Sequence, residues 1–207
     1  MRRVLPGRMP PAQSGGEARA RRPMGPDLTV AMVPVGSVEE KVMTWLRRRL
    51  EELLGRQVQI GPGMPLPAGS YDASRRQYVS HRLVEALAGA AGPGVCLLGV
   101  VDVDLFLPGM NFVLGQAEPG RRAAVVSLFR LRPERYGLPP DEGLFLGRAL
   151  KESVHELGHL FGLRHCPRPE CVMHFSNSLQ DTDRKAHFFC LRCQRSLGRA
   201  RRAGGGR

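Results

Sequence analysis

His155-Glu156-Leu157-Gly158-His159-Leu160-Phe161-Gly162-Leu163-Arg164-His165-Cys166 is the stretch on which the reading of this chain turns. Up to His165 it spells HExxHxxGxxH, a full ligand set for a catalytic zinc within one short segment. At about 100° per residue, His155 and His159 lie a turn apart on one helical face and bind one ion together. Glu156 sits beside them, displaced around the helix, next to the open coordination position. His165 cannot belong to the same helix, because six further residues rotate it by roughly 240° and lift it about 9 Å. The helix therefore has to stop, and Gly162 is where it stops, since glycine enters the left-handed region without a Cβ penalty. Three neutral imidazoles leave zinc its full charge and a free fourth position, which lowers the pKa of water there to about 7. Glu156 is the general base for that water, so the expected chemistry is metal-assisted amide hydrolysis.

The same stretch opens a second cluster. Cys166 begins Cys166-x4-Cys171, followed by Cys190-xx-Cys193, a content suited to a tetrahedral zinc held by four thiolates. No apolar run reaches the ~20 residues that span a bilayer, and Val4-Leu5 is no signal-peptide core, so a cytoplasmic location is expected. Thiols stay reduced there, and paired cysteines are better explained by metal than by disulfides. Two zinc ions per chain follow, one catalytic and one structural. Cys96 lies in the apolar run Val95-Cys96-Leu97-Leu98-Gly99-Val100 and reads as a buried thiol.

The pattern HExxHxxGxxHC-x4-C-x-M followed by C-xx-C resembles the archaemetzincins, over Lys151 to Cys193. Val101-Asp102-Val103-Asp104-Leu105-Phe106-Leu107-Pro108-Gly109-Met110-Asn111-Phe112 is similar to the family's sheet segment, so the likeness covers roughly Leu28 to Leu197. It implies an α+β, metzincin-like metallopeptidase fold: a mixed β-sheet with helices, plus a small loop-rich C-terminal zinc subdomain. It also implies a peptide or protein substrate. Met173, eight residues after His165, takes the place of a Met-turn under the histidines. No tyrosine follows Met173, the three being Tyr71, Tyr78 and Tyr136, so zinc itself has to carry most of the oxyanion stabilisation.

Charge divides the chain. The formal net charge is +12, of which residues 1–27 hold +4, residues 194–207 hold +5 and residues 28–193 only +3. Residues 1–27 and 198–207 lack the apolar pattern a fold needs and read as disordered basic tails flanking a catalytic domain at 28–197, with the structural-zinc segment at 166–193. Nucleic acid is an unlikely partner beyond weak phosphate contacts of the tails, and a monomer without membrane contact is expected. Two rival readings are an idle zinc-binding interaction protein and a zinc-ribbon-like nucleic-acid-binding protein. Neither needs Glu156 or an open coordination position, and the complete HExxHxxGxxH disfavours both.

Periodicity gives the rest. Leu28–Val35 reads as a strand, Val38–Leu54 as an amphipathic helix and Val58–Ile60 as a short strand. Arg75–Ala90 reads as a helix, and Gly94–Val103 as a strand buried on both faces. Asn111–Gln116 and Ala123–Arg130 follow as strands, and Asp141–Leu163 as the zinc helix. Gly109–Gly115 is the candidate sheet edge for a bound peptide. Asp102 and Asp104 are expected to cap a turn, Lys151 and Glu152 to face solvent, and His81, His174 and His187 to stand outside both ligand sets.

Overall fold

Val95–Val101 is apolar except at Gly99 and needs cover on both faces, which it receives as the central strand of a five-stranded sheet. The computed structural model describes residues 28–204, with side chains as far as 197. In chain order the sheet takes β1 (Thr29–Val35), β2 (Val58–Ile60), β5 (Val95–Val101), β7 (Gly115–Glu118) and β8 (Ala123–Ser127), arranged β2-β1-β5-β8-β7. All neighbours are parallel except β7, which runs antiparallel to β8 at the edge. A small second sheet, β3 (Tyr71–Asp72), β4 (Gln77–Val79) and β6 (Leu105–Phe106), lies beside it in that order.

Alternation along the strands builds two cores. Val30, Met32, Cys96, Leu98, Val100, Ala124 and Val126 face α1 (Glu40–Leu54) and α3 (Glu142–Leu160). Ala31, Val33, Leu97, Val101, Ala123 and Val125 face α2 (Ser80–Ala90). The helix α2 closes tightly on β5: a Cβ at Gly99 would stand 2.5 Å from Leu87 Cδ1. Cys96 is wholly buried, as its apolar run requires. Among the described residues no helix is long and apolar enough to cross a membrane.

Four local expectations are corrected. Arg75–Ala90 is not one helix: Gln77–Val79 is captured as β4 by partners distant in sequence, Tyr78 N–H donating to Asp104 O at 2.8 Å and Val79 N–H to Ser70 O at 2.7 Å. The strand expected at Asn111–Gln116 begins only at Gly115, because side chains rather than a strand take the carbonyls of Met110 and Asn111. Asp102 and Asp104 do not cap a turn; Asp104 accepts from Arg130 Nε and Nη2, each at 2.6 Å, and Asp102 pairs with Arg132. Glu152 does not face solvent: it is 3% exposed, and Lys151 is half-buried.

The C-terminal segment carries two helices, α4 (Leu179–Arg184) and α5 (Leu191–Gly204). Ser178 and Asp181 form a reciprocal capping box at the start of α4, a signature present in the sequence as Ser-x-x-Asp. Helix α5 extends into the region for which composition implied a tail; residues 1–27 and 205–207 lie outside the described residues.

Candidate metal centre

Pro139-Pro140 delivers the chain to α3, and Asp141 caps it, its Oδ1 accepting from Leu144 N–H at 2.8 Å. The helix ends after Leu160, where Gly162 N–H donates to His159 O and Leu163 N–H to Gly158 O, both at 2.9 Å, with Gly162 at φ +88°. This is a Schellman motif with glycine at its left-handed position, and it turns the chain back so that His165 faces the helix it has left.

Three imidazoles converge there. His159 Nε2 lies 3.1 Å from His155 Nε2 and 3.2 Å from His165 Nε2, close to the ~3.3 Å edge of a tetrahedron with Zn–N of about 2.0–2.1 Å. The tautomers are fixed from behind: His155 Nδ1–H donates to Val172 O and His159 Nδ1–H to Leu163 O, both at 2.8 Å, leaving each Nε2 lone pair toward the shared point. Burial lowers the pKa of all three, His155 to about 4, so they stand neutral and ready to ligate. Phe175 packs edge-on against His165, ring centroids 4.9 Å apart.

Glu156 is 5% exposed and lines the cleft in front of the histidines. Burial, then the neighbouring Glu152 carboxylate, raises its pKa well above the usual carboxylate range, and it accepts no hydrogen bond among the described residues. Gly115 of β7 presses on it: a Cβ there would lie 2.5 Å from Glu156 Oε1. Behind the site Met173 is wholly buried and packs on Gly158, where any Cβ would collide with its sulfur.

The four thiols form the second group. Cys166 Sγ and Cys190 Sγ are 3.9 Å apart, Cys171 Sγ and Cys193 Sγ 3.8 Å, and all four sulfurs lie within 4.8 Å of one another. A disulfide needs about 2.05 Å, whereas tetrahedral Zn–S of about 2.3 Å gives sulfurs ~3.8 Å apart. Burial pushes the Cys171 and Cys193 thiols up, and a cation among the four sulfurs would offset the cost of ionising them this close together. His165 and Cys166, neighbours in the chain, serve different groups, and Cys166 N–H donates to Met173 O at 2.8 Å.

Sequence reasoning missed the polar floor beside the site. Lys185, wholly buried, donates to Glu152 Oε1 at 2.8 Å, and Thr182 Oγ1 donates to the same oxygen at 3.0 Å. Burial alone would raise the Glu152 pKa; Lys185, His155 and Thr182 outweigh it and hold the carboxyl below its ordinary value. The available signal was spacing, since Glu152 stands four residues before Glu156 and three before His155 on the same helical face. His174 lies outside the ligand set and hydrogen-bonds Cys166 O through Nδ1 at 3.0 Å, while His187 packs against Phe188.

The cleft encloses about 530 Å³ between α3, the loop Leu107–Leu114, β7 and the segment Phe175–Asn177. Residues 62–199 match the model of peptidase family M54. The archaemetzincin of Pyrococcus furiosus is 45% identical over 175 residues, covering 81% of this chain and 91% of that protein. The archaemetzincin crystal structure from Methanopyrus kandleri superimposes with a TM-score of 0.73 at 38% identity, over 84% of this chain and 96% of the other. The structure of a zinc-dependent peptidase from Methanocorpusculum labreanum gives a TM-score of 0.75 at 28% identity, over 81% and 99% of the two chains. A matched family model over most of the chain, relatives at this identity and the histidine cluster agree: the chain belongs to peptidase family M54, the archaemetzincins, and is a zinc metallopeptidase.

Proposed function

We propose that His155, His159 and His165 hold the catalytic zinc, that Glu156 is the general base of peptide-bond hydrolysis, and that Cys166, Cys171, Cys190 and Cys193 hold a second, structural zinc. The observation that carries this reading is the convergence of three Nε2 atoms, 3.1 and 3.2 Å from the central one, beside a buried carboxylate at the floor of an open cleft. Zinc held by three imidazoles supplies Lewis acidity that lowers the pKa of water to about 7 and polarises a carbonyl.

The remaining steps belong to the protein. The peptide lies in the cleft along the outer edge of β7, which among the described residues pairs only with β8. Glu156, which accepts no hydrogen bond among the described residues, takes a proton from the attacking water on one carboxylate oxygen and delivers it to the leaving amine nitrogen. Its apolar surroundings and the nearby Glu152 strengthen it as a base. Met173 and the Gly162 turn hold the ligand helix and the third histidine in register.

Residues 28–197 act as one catalytic domain with the structural zinc at 166–193, working as a cytoplasmic monomer on peptide or protein substrates, with nucleic-acid contact confined to weak interactions of the basic termini. The test is a peptide digest by protein of known metal content. Two zinc ions per folded chain and turnover that falls about 10²-fold or more in Glu156→Gln, with zinc retained, are expected. One zinc per folded chain refutes the second site, and unchanged turnover in a pure Glu156→Gln sample refutes the assigned base.

A further inference from the structure

The loop leading from β6 to β7 is irregular, yet it is held more tightly than a surface loop needs to be. Gly109 sits at φ +85°, Met110 N–H closes a turn on Leu107 O at 2.9 Å, and Val113 N–H bonds Leu105 O at 2.9 Å. Between these points the two carbonyls are taken by side chains. Arg75 Nη2 donates to Met110 O at 2.9 Å and to Asn111 O at 3.0 Å, and Gln77 Nε2 donates to Asn111 O at 2.9 Å.

The clamp is itself braced. Arg75 Nε donates to Gln77 Oε1 at 3.0 Å, and Gln77 Nε2 also reaches Asp104 Oδ2 at 3.1 Å. Asp104 is locked by Arg130 Nε and Nη2, and that guanidinium lies over the Phe112 ring at 4.3 Å. Arg75, Gln77, Asp104 and Arg130 are not among the residues that line the cleft, whereas Met110, Asn111 and Phe112 are. The carbonyls of 110 and 111 therefore turn to the back of the loop.

Peptide planarity converts that into a statement about donors. In a trans peptide the N–H points opposite to the preceding C=O. The Asn111 N–H opposes Met110 O, and the Phe112 N–H opposes Asn111 O, so both are directed away from the clamp. Neither has a hydrogen-bond partner among the described residues. Backbone N–H groups are strong donors that proteins otherwise satisfy, and donors fixed in advance in a cleft bind an acceptor without reorganising.

We propose that the backbone N–H groups of Asn111 and Phe112 form a subsite for a carbonyl oxygen of the substrate's peptide backbone, and that Arg75 and Gln77 are positioning residues that turn this subsite toward the cleft. The inference rests on the peptidase reading but concerns binding rather than the proton transfer at Glu156. Releasing the carbonyls lets the two peptide planes rotate, so affinity falls while the bond-breaking machinery on α3 stays in place.

The experiment has two arms, both on zinc-loaded full chain. In steady-state hydrolysis, Arg75→Ala should raise KM about tenfold, the loss of one to two hydrogen bonds, with kcat, zinc content and Tm retained. Arg75→Lys should be intermediate, since an ammonium replaces a two-headed donor. In the second arm, binding of uncleaved peptides is measured on Glu156→Gln protein, so that no turnover is required. Each backbone amide is replaced in turn by an ester, whose carbonyl is a weaker acceptor. One ester position should weaken binding several-fold, and that penalty should vanish when Arg75→Ala is added. A KM for Arg75→Ala within twofold of wild type, or an ester penalty that persists unchanged beside Arg75→Ala, overturns the proposal. Absence of turnover in the wild type with the ester pattern intact counts against the peptidase mechanism and leaves the subsite standing.

Discussion

Replacing Gly115 with alanine tests how closely Glu156, the proposed general base, is gauged by the sheet edge. The added Cβ would stand 2.5 Å from Glu156 Oε1 and 2.8 Å from both Cδ and Cγ. Ordinary contact needs about 3.5 Å or more, so something moves by about 1 Å. The strand is held by four register pairs to β8, while the atoms in the way form the end of a side chain with no hydrogen-bond partner among the described residues. Glu156 is therefore what yields, and the fold is expected to lose less than about 1 kcal/mol. A misplacement of about 1 Å costs about 10²-fold, so kcat should fall on that order with zinc content unchanged. The assay is steady-state peptide hydrolysis by wild type, Gly115→Ala, Glu156→Gln and the double variant. If displacement of Glu156 is the whole effect, the double variant should be no slower than Glu156→Gln alone. A wild-type kcat in Gly115→Ala, or losses that multiply in the double variant, would refute the reasoning.

Three further outcomes are expected. Lys185→Met leaves the buried Glu152 carboxylate without its cation and should cost about 3–5 kcal/mol in urea unfolding, most of it recovered when Glu152→Gln is added; an equal loss in the double variant would show that the pair is not the cause. Cys171→Ser should weaken zinc at the histidines about 10- to 100-fold, because His165 shares its peptide bond with Cys166, and wild-type affinity in a folded variant would show the two groups to be mechanically independent. In metal-free protein His155 has a pKa of about 4 against about 6.5 unfolded, so the unfolded chain binds more protons between those values. Its contribution is complete above about pH 6.5 and lost as pH falls toward 4, on the order of 3 kcal/mol, and His155→Gln should flatten that slope in unfolding measured against pH.

The convergence of the three proposed metal ligands was legible because its geometry is local. Two histidines a turn apart, a glycine that ends the helix and a third histidine need no knowledge of the remaining fold, and Gly162 does adopt a positive φ. The strands β1 and β2 were legible too, bounded by their own turns. What escaped depends on partners far along the chain. Gln77–Val79 carries no signal of its own and becomes a strand because Leu105–Phe106 pairs with it. Glu152, ahead of His155 on the helix, reads as solvent-facing, and the cation that keeps it buried lies thirty-three residues later. Asp102 and Asp104 looked like turn residues until Arg132 and Arg130 arrived to pair with them. The cleft wall at Met110 and Asn111 is shaped by Arg75 and Gln77, which no spacing rule connects to it.

The Glu152–Lys185 pair also decides how the cleft floor responds to heat. It ties α3 to α4 and, through Lys185 Nζ to His174 O at 3.4 Å, to the turn that carries Met173. Apolar packing gains little further strength on warming, but the cost of stripping water from charges falls as temperature rises. The floor beneath the histidines is thus a part of the molecule whose relative cohesion improves when the solution is heated. Warming should loosen the outer strands and exposed loops first, leaving α3, the turn that carries Met173 and α4 as the last cooperative unit to come apart.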